Sequence, residues 1–309
     1  AQRPAASRGR ILAVVSSTAM FPDGEKKAGY ELTELSRAYW VFVANGYQVD
    51  IASPAGGEPP MRLDQDDVTD ADFAFLNDAE AMQKLTHSLP LAKVDPAQYR
   101  AVYFVGGKGT MFDFPGNPDI ARIVHAIDRS GGVLGAVCHG PVAFIGLRGA
   151  DGTPWLQGRH VTGFSNAEEL FLMQDARERF AYLLQDELQR QGGVFTSAPK
   201  YLDHTVVDGR LVTGQNPWST WHVAEQMIRQ LGHVPVPRAT TGEEASVRVL
   251  LAYHRDGVDA ARAQLEAGPA ADRRLLLMHA IIAAMQWKPG EAWLLQSLAR
   301  AVALPAAVN

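Results

Sequence analysis

The chain has 309 residues, 47% hydrophobic and 20% charged, with 29 Lys and Arg against 34 Asp and Glu for a net charge of −5. At roughly 150 residues per domain this length corresponds to about two globular domains, and the balance excludes disordered, collagen-like and coiled-coil chains. No stretch gathers the Lys and Arg of a phosphate-binding stripe, so no nucleic-acid partner is expected. No apolar run approaches the roughly 18 residues of a membrane span. Cys138 is the only cysteine, which excludes an intramolecular disulfide and a Cys-rich zinc site.

Residues 1–9 read as a flexible N-terminal segment that opens Ala1-Gln2-Arg3 without Met. Removal of a signal peptide at a small-residue site leaves such a start, so a periplasmic or secreted location is one expectation and the cytoplasm the other. Then come a buried strand at Ile11 to Val15, helical spacing over Tyr30 to Ala44, a strand at Val49 to Ala52 and helical spacing over Asp66 to Leu85. A strand at Ala101 to Val105, a helix over Asp119 to Ser130 and a strand at Val133 to Val137 come next. The series closes with a helix over Asp175 to Gln191, a strand at Leu211 to Thr213 and a helix over Thr220 to Leu231. This alternation predicts an α/β domain over 10–233 with a doubly wound, mostly parallel sheet. Ligands of such sheets sit beyond the carboxyl ends of the strands, which points to the residues just after Val105 and Val137.

Val234-Pro-Val-Pro-Arg238 cannot continue a helix and reads as a linker over 234–238. Residues 239–309 predict an all-helical appendage. Thr241-Gly-Glu-Glu244 is a capping box opening a helix to about His254, and helical patterns cover Val258 to Ala267, Ala271 to Trp287 and Glu291 to Ala303.

Gly135-Ala-Val-Cys-His-Gly-Pro141 comes after a buried strand and precedes a helical stretch, the pattern of a nucleophile elbow. Such a turn exposes the side chain to backbone N–H groups and a helix N-terminus, which predicts a Cys138 partly ionised at neutral pH. A small buried core cysteine is the alternative reading. A thiol needs an acid–base partner. Glu34 falls nearer the apolar face of the first helix than a solvated charge would, although a capping or solvated role fits the spacing too. In Ser165-Asn-Ala-Glu-Glu169, Glu168 closes a capping box. Glu169 is left to accept the second imidazole N–H of His139 and complete a nucleophile, base and orienter set.

Gly106-Gly-Lys-Gly-Thr110 is not a phosphate loop, because Lys108 is followed by Gly109 rather than Ser or Thr. Gly107, Lys108 and Gly109 instead suit close approach to the elbow, with N–H groups facing an oxyanion; a simple tight turn is the alternative. The histidines show no metal-ligand spacing, so no metal is expected.

Ala136-Val-Cys-His-Gly-Pro141 resembles the ThiJ/PfpI superfamily, as do Gly106-Gly-Lys-Gly-Thr-Met-Phe-Asp-Phe-Pro115, Val161-Thr-Gly-Phe-Ser-Asn-Ala-Glu-Glu169 and Asp208-Gly-Arg-Leu-Val-Thr-Gly-Gln-Asn-Pro217. Within the superfamily the resemblance is to the branch of heat-shock chaperones and glutathione-independent glyoxalases (glyoxalase III), over about Arg10 to Leu231. The resemblance implies a flavodoxin-like fold, Cys138 as nucleophile, His139 and Glu169 as its partners, and Glu34 as the carboxyl touching the sulfur. It implies a small 2-oxoaldehyde substrate converted to a 2-hydroxy acid without metal, nicotinamide or glutathione. Alternatives within the superfamily are a stress chaperone, a redox sensor using the same cysteine, and a cysteine-dependent amidase or peptidase. Lys108 departs from the branch, which usually carries His there, and places a fixed cation near the site. The appendage lies outside the resemblance; a cap over the site, a dimer contact and a partner surface are its candidate roles, and a homodimer is carried as an expectation.

Overall fold

The computed structural model describes residues 8–63 and 68–302, so residues 1–7 of the N-terminal segment, Asp66 and Ala303 lie outside the described residues. The chain divides into two compact units, Ala1–Val236 and Pro237–Asn309. The break thus falls inside the linker expected at 234–238.

The first unit runs β1 (Arg10–Val14), β2 (Tyr30–Glu31), α1 (Leu32–Ala44), β3 (Gln48–Ser53), β4 (Met61–Arg62), α2 (Asp70–Leu76), α3 (Ala79–Thr86) and β5 (Leu89–Pro90). It continues with β6 (Tyr99–Phe104), α4 (Thr110–Asp113), α5 (Pro118–Arg129), β7 (Val133–Val137), β8 (His160–Val161), α6 (Asn166–Leu172), α7 (Ala176–Arg179) and α8 (Leu184–Arg190). β9 (Val194–Phe195), β10 (Thr205–Asp208), β11 (Leu211–Gly214) and α9 (Thr220–Gln230) complete it. The main sheet has seven strands in the order β10-β11-β7-β6-β1-β3-β5. Every pairing in it is parallel except β10 with β11, so the expected mostly parallel sheet is present.

The central strands form because their residues are apolar on both faces. All five residues of β7 are buried, as a strand covered by helices on each side requires. From β1 the chain steps outward to β3 and later returns to β1's other side with β6. The winding reverses between β1 and β6, and a crevice opens at the carboxyl ends beside such a reversal. α1 is buried almost all round, Glu34 and Arg37 included. Its Arg37 is held by Asp72 of α2 at 3.4 Å.

Two predicted helices are divided. The span read as Asp66 to Leu85 is α2 and α3, because Asp78 leaves the helix and caps the next one through Ala81 N–H at 2.9 Å. The span read as Asp175 to Gln191 is α7 and α8, broken at Phe180, whose backbone is extended at φ −102° and ψ 148°. Phe180 turns inward there and packs on Phe21 and Phe112, a tertiary demand that overrides local helical preference.

The second unit holds α10 (Gly242–Asp256), α11 (Val258–Ala267), α12 (Arg273–Met285) and α13 (Pro289–Ala301). The Thr241 to Glu244 capping box forms, and Gly257 at φ +88° ends α10. Leu250, Ala261, Leu276, Leu295 and Leu298 form this unit's own buried core. Among the described residues no helix is long and apolar enough to cross a membrane.

Candidate active site

β7 ends at Val137, and the next residue turns sharply. Cys138 sits at φ +59°, a left-handed conformation that costs a residue with a side chain about 1 kcal/mol or more. Two hydrogen bonds impose it: Cys138 N–H donates to Gly214 O at 2.9 Å, and Cys138 O accepts from Phe164 N–H at 2.8 Å. The flanking glycines give the elbow room. A Cβ on Gly135 would collide with Met227 of α9, and one on Gly140 with the carbonyl of Phe104. The stretch after the elbow is a short 3-10 turn, Gly140–Phe144, so the expected α-helix N-terminus behind the sulfur is not there.

His139 turns its ring back onto the preceding sulfur, with Nδ1 at 3.3 Å from Cys138 Sγ. Its Nε2 lies 2.5 Å from Glu169 Oε2. A carboxylate there accepts from Nε2–H, which leaves Nδ1 as the acceptor facing the thiol. Phe164 packs against the ring at 4.6 Å between centroids and fixes its plane. Glu169 is delivered by α6, whose Ser165 to Glu168 capping box forms. Burial would raise the Glu169 carboxyl, but His139 beside it and the charge of Lys108 outweigh that and hold it below the ordinary carboxylate range.

Glu34 lies beside the elbow as well, its carboxyl and the Cys138 Cβ both close to Gly106. Its Oε2 accepts the Gly106 N–H at 2.6 Å, and its carboxyl bears electrostatically on the Cys138 thiol. A Cβ on Gly106 would fall on the carboxyl and press on the Cys138 Cβ, so glycine there makes the approach possible. Burial, then neighbouring Glu31, push Glu34 well above the carboxylate range. Burial and the charges of Glu34 and Glu31 push the Cys138 thiol up as well. The expectation of a thiol eased into ionisation is therefore corrected: burial and the neighbouring carboxyls favour the protonated thiol.

The Gly106–Gly109 loop lies against the elbow. Gly109 N–H is engaged by Gly29 O at 2.9 Å and is not free for an oxyanion. Among the described residues, the N–H groups of Gly107, Lys108 and His139 meet no acceptor in the protein. Buried Gly107 takes φ +106° with no room for a Cβ beside Gly29 and Tyr30.

Sequence reasoning passed over Phe164 and Tyr201, and considered Glu31 beside Glu34 as a candidate carboxyl without giving it a role. Glu31 is the residue just before α1, and its charge bears on both Glu34 and Cys138. Tyr201, at φ +60°, closes the buried cage of Glu168: its N–H donates to Oε1 at 2.8 Å, and Asn216 Nδ2 donates to the same atom at 2.8 Å. No signal marks Tyr201, because its partner is 33 positions away. Trp221 is buried, as a core tryptophan would be. No group of three His, Cys, Asp or Glu among the described residues is arranged to hold a metal.

A strained cysteine at the carboxyl end of a central parallel strand, flanked by a histidine–carboxylate pair and a second carboxyl, defines an elbow-type α/β protein. More specifically, the chain belongs to the DJ-1/PfpI family, whose sequence pattern matches residues 26–230. It is 30% identical to Glyoxalase 3 of Candida albicans over 230 residues, covering 71% of this chain and 96% of that protein. It is 33% identical to a glutathione-independent glyoxalase of Schizosaccharomyces pombe over 239 residues, covering 72% and 96%. Among solved structures, the Rapid Encystment Protein 24 KDa of Francisella tularensis superposes with a TM-score of 0.68 at 31% identity, over 72% of this chain and 99% of the other.

Proposed function

We propose that this chain is a glutathione-independent glyoxalase that converts 2-oxoaldehydes such as methylglyoxal to 2-hydroxy acids, with Cys138 as nucleophile. The observation that carries the reading is the contact path from Cys138 through His139 to Glu169, with the Glu34 carboxyl beside the same elbow at Gly106. A built-in thiol between two acid–base groups takes the place of the thiol that glutathione would otherwise bring. The sulfur adds to the aldehyde carbon C1, and its proton passes to Glu34. The oxyanion of the hemithioacetal is held by the free N–H groups of Gly107, Lys108 and His139. His139 Nδ1 then removes the C1 proton, with Glu169 balancing the imidazolium, and the proton returns at C2. C1 is oxidised and C2 reduced within the substrate, leaving a thioester. Water adds to that thioester, the C–S bond breaks, and the 2-hydroxy acid departs as the sulfur regains its proton.

The test is lactate formation from methylglyoxal without glutathione, comparing the protein with Cys138→Ala. Turnover that falls by about 10³ or more in the variant is expected. Equal turnover in both, or none in either, overturns the reading.

A further inference from the structure

The proposed chemistry uses the backbone of the Gly106–Gly109 loop and leaves the Lys108 side chain without a task. The loop is closely packed on both sides of it. Gly107 is pressed against the backbone of Gly29 and Tyr30, and Gly109 against Ser16, Thr18 and Gly29. Lys108 is half-buried there, yet among the described residues its ammonium has neither an ion pair nor a hydrogen bond. Some other cations of this unit are paired, among them Lys26 with Asp175, Arg37 with Asp72, and Arg179 with Asp23, Glu25 and Asp175. The loop that carries Lys108 lies against the Cys138 elbow at Gly106, and the charge of Lys108 is felt by Glu169. The charges that bear on the sulfur itself come from the carboxyl groups of Glu34, Glu31 and Glu168, which disfavour an anion there. A partly desolvated, unpaired ammonium is the group that offsets this repulsion at one place and pairs with an incoming carboxylate.

We propose that Lys108 selects 2-oxoaldehydes that carry a carboxylate, pairing with it while the aldehyde end meets Cys138. The inference rests on the glyoxalase reading for its chemistry and on the loop for its selectivity. For 4,5-dioxovalerate the aldehyde carbon bonds Sγ, its proton moves to the adjacent carbon, and water releases 2-hydroxyglutarate with no external oxidant or reductant.

Two ratios test it. The only cysteine in the chain is Cys138, so alkylation reports this site alone. Iodoacetate and iodoacetamide deliver similar carbon electrophiles with and without negative charge, and any change in thiolate fraction cancels in their rate ratio. Relative to a free thiol such as N-acetylcysteine, the protein is expected to favour iodoacetate. Lys108→Met is expected to lower that preference about tenfold, the scale of one partly screened ion pair, and Lys108→Arg to keep it. The ratio of kcat/KM for 4,5-dioxovalerate over methylglyoxal is expected to show the same pattern. Lys108→Gln serves where the Met variant does not fold. An alkylation ratio within about twofold of the parent in the uncharged variants overturns the proposal, whatever the turnover. A shifted ratio in a protein that turns over no 2-oxoaldehyde retains anion selection and removes the glyoxalase reading instead.

Discussion

At the scale of single residues, the site turns on where one proton rests. Glu34 is fully buried and its Oε2 is taken by Gly106 N–H, so its carboxyl stands beside the buried thiol in a place where two negative charges cannot coexist cheaply. The carboxylate raises the thiol and simultaneously offers its proton a destination. Glu34→Gln separates these effects. The thiol loses a negative neighbour, so the pH midpoint for Cys138 alkylation by iodoacetamide is expected to move down. Turnover of methylglyoxal is expected to fall by about 10², the usual cost of losing an acid–base partner. A midpoint that stays or rises would show that Glu34 acts on the sulfur other than by its charge. Cys138 and His139 were legible because an apolar strand running into Gly-x-x-Cys-His-Gly describes a turn whose geometry is local. The ionisation of the thiol was not legible, since burial and the approach of Glu34 and Glu31 arise only when α1 packs on β1, β3 and β6.

At the scale of elements, the same division holds. β1, β6, β7 and β11 were readable as apolar runs, because a strand buried on both faces needs no partner's identity to be recognised. The break between α7 and α8 was not, because Phe180 leaves the helix to join Phe21 and Phe112, remote in sequence. β10 escaped notice for a related reason: it is an edge strand of half-exposed residues, set by its antiparallel pairing with β11 across Gly209. At this edge Asp203 Oδ2 lies 2.8 Å from His222 Nδ1 and ties the segment before β10 to α9. The hydrogen bond that His222 donates to Asp203, opposed by burial, raises the imidazole above its ordinary value of 6.5. A raised histidine contributes stability that is present below 6.5 and lost as pH rises through the higher folded value. Asp203→Asn should therefore lower Tm more at about pH 5 than at about pH 9. The difference corresponds to well under about 1 kcal/mol, since the His222 side chain is 45% exposed and water screens the pair. Thermal melts of both proteins at the two pH values read it directly; an equal loss at both assigns Asp203 to its hydrogen bond with Thr205 alone.

At the scale of the whole molecule, the catalytic reading needs only the first unit. The family match ends at residue 230, and the Candida and Schizosaccharomyces glyoxalases are each 96% covered by about seven tenths of this chain. Their length accounts for the sheet and its helices and leaves nothing to pair with the four helices of the second unit. The linker prolines made this boundary legible, since Pro235 and Pro237 deny a helix its N–H donors. Composition is silent on what the added unit serves, because its helices satisfy their own core through Leu250, Leu276, Leu295 and Leu298. Within the first unit the chain is tied down to its last residue, where Val236 N–H donates to Asn45 Oδ1 at 2.8 Å. A chain ending at Val236 is therefore expected to fold by itself and to keep kcat/KM for methylglyoxal within about twofold of the full protein. Circular dichroism and steady-state kinetics on the two lengths check this. A truncated protein that melts as cooperatively as the full chain yet has lost turnover would mean that the helical unit takes part in the reaction, because an intact Cys138, His139, Glu169 and Glu34 set would then be insufficient.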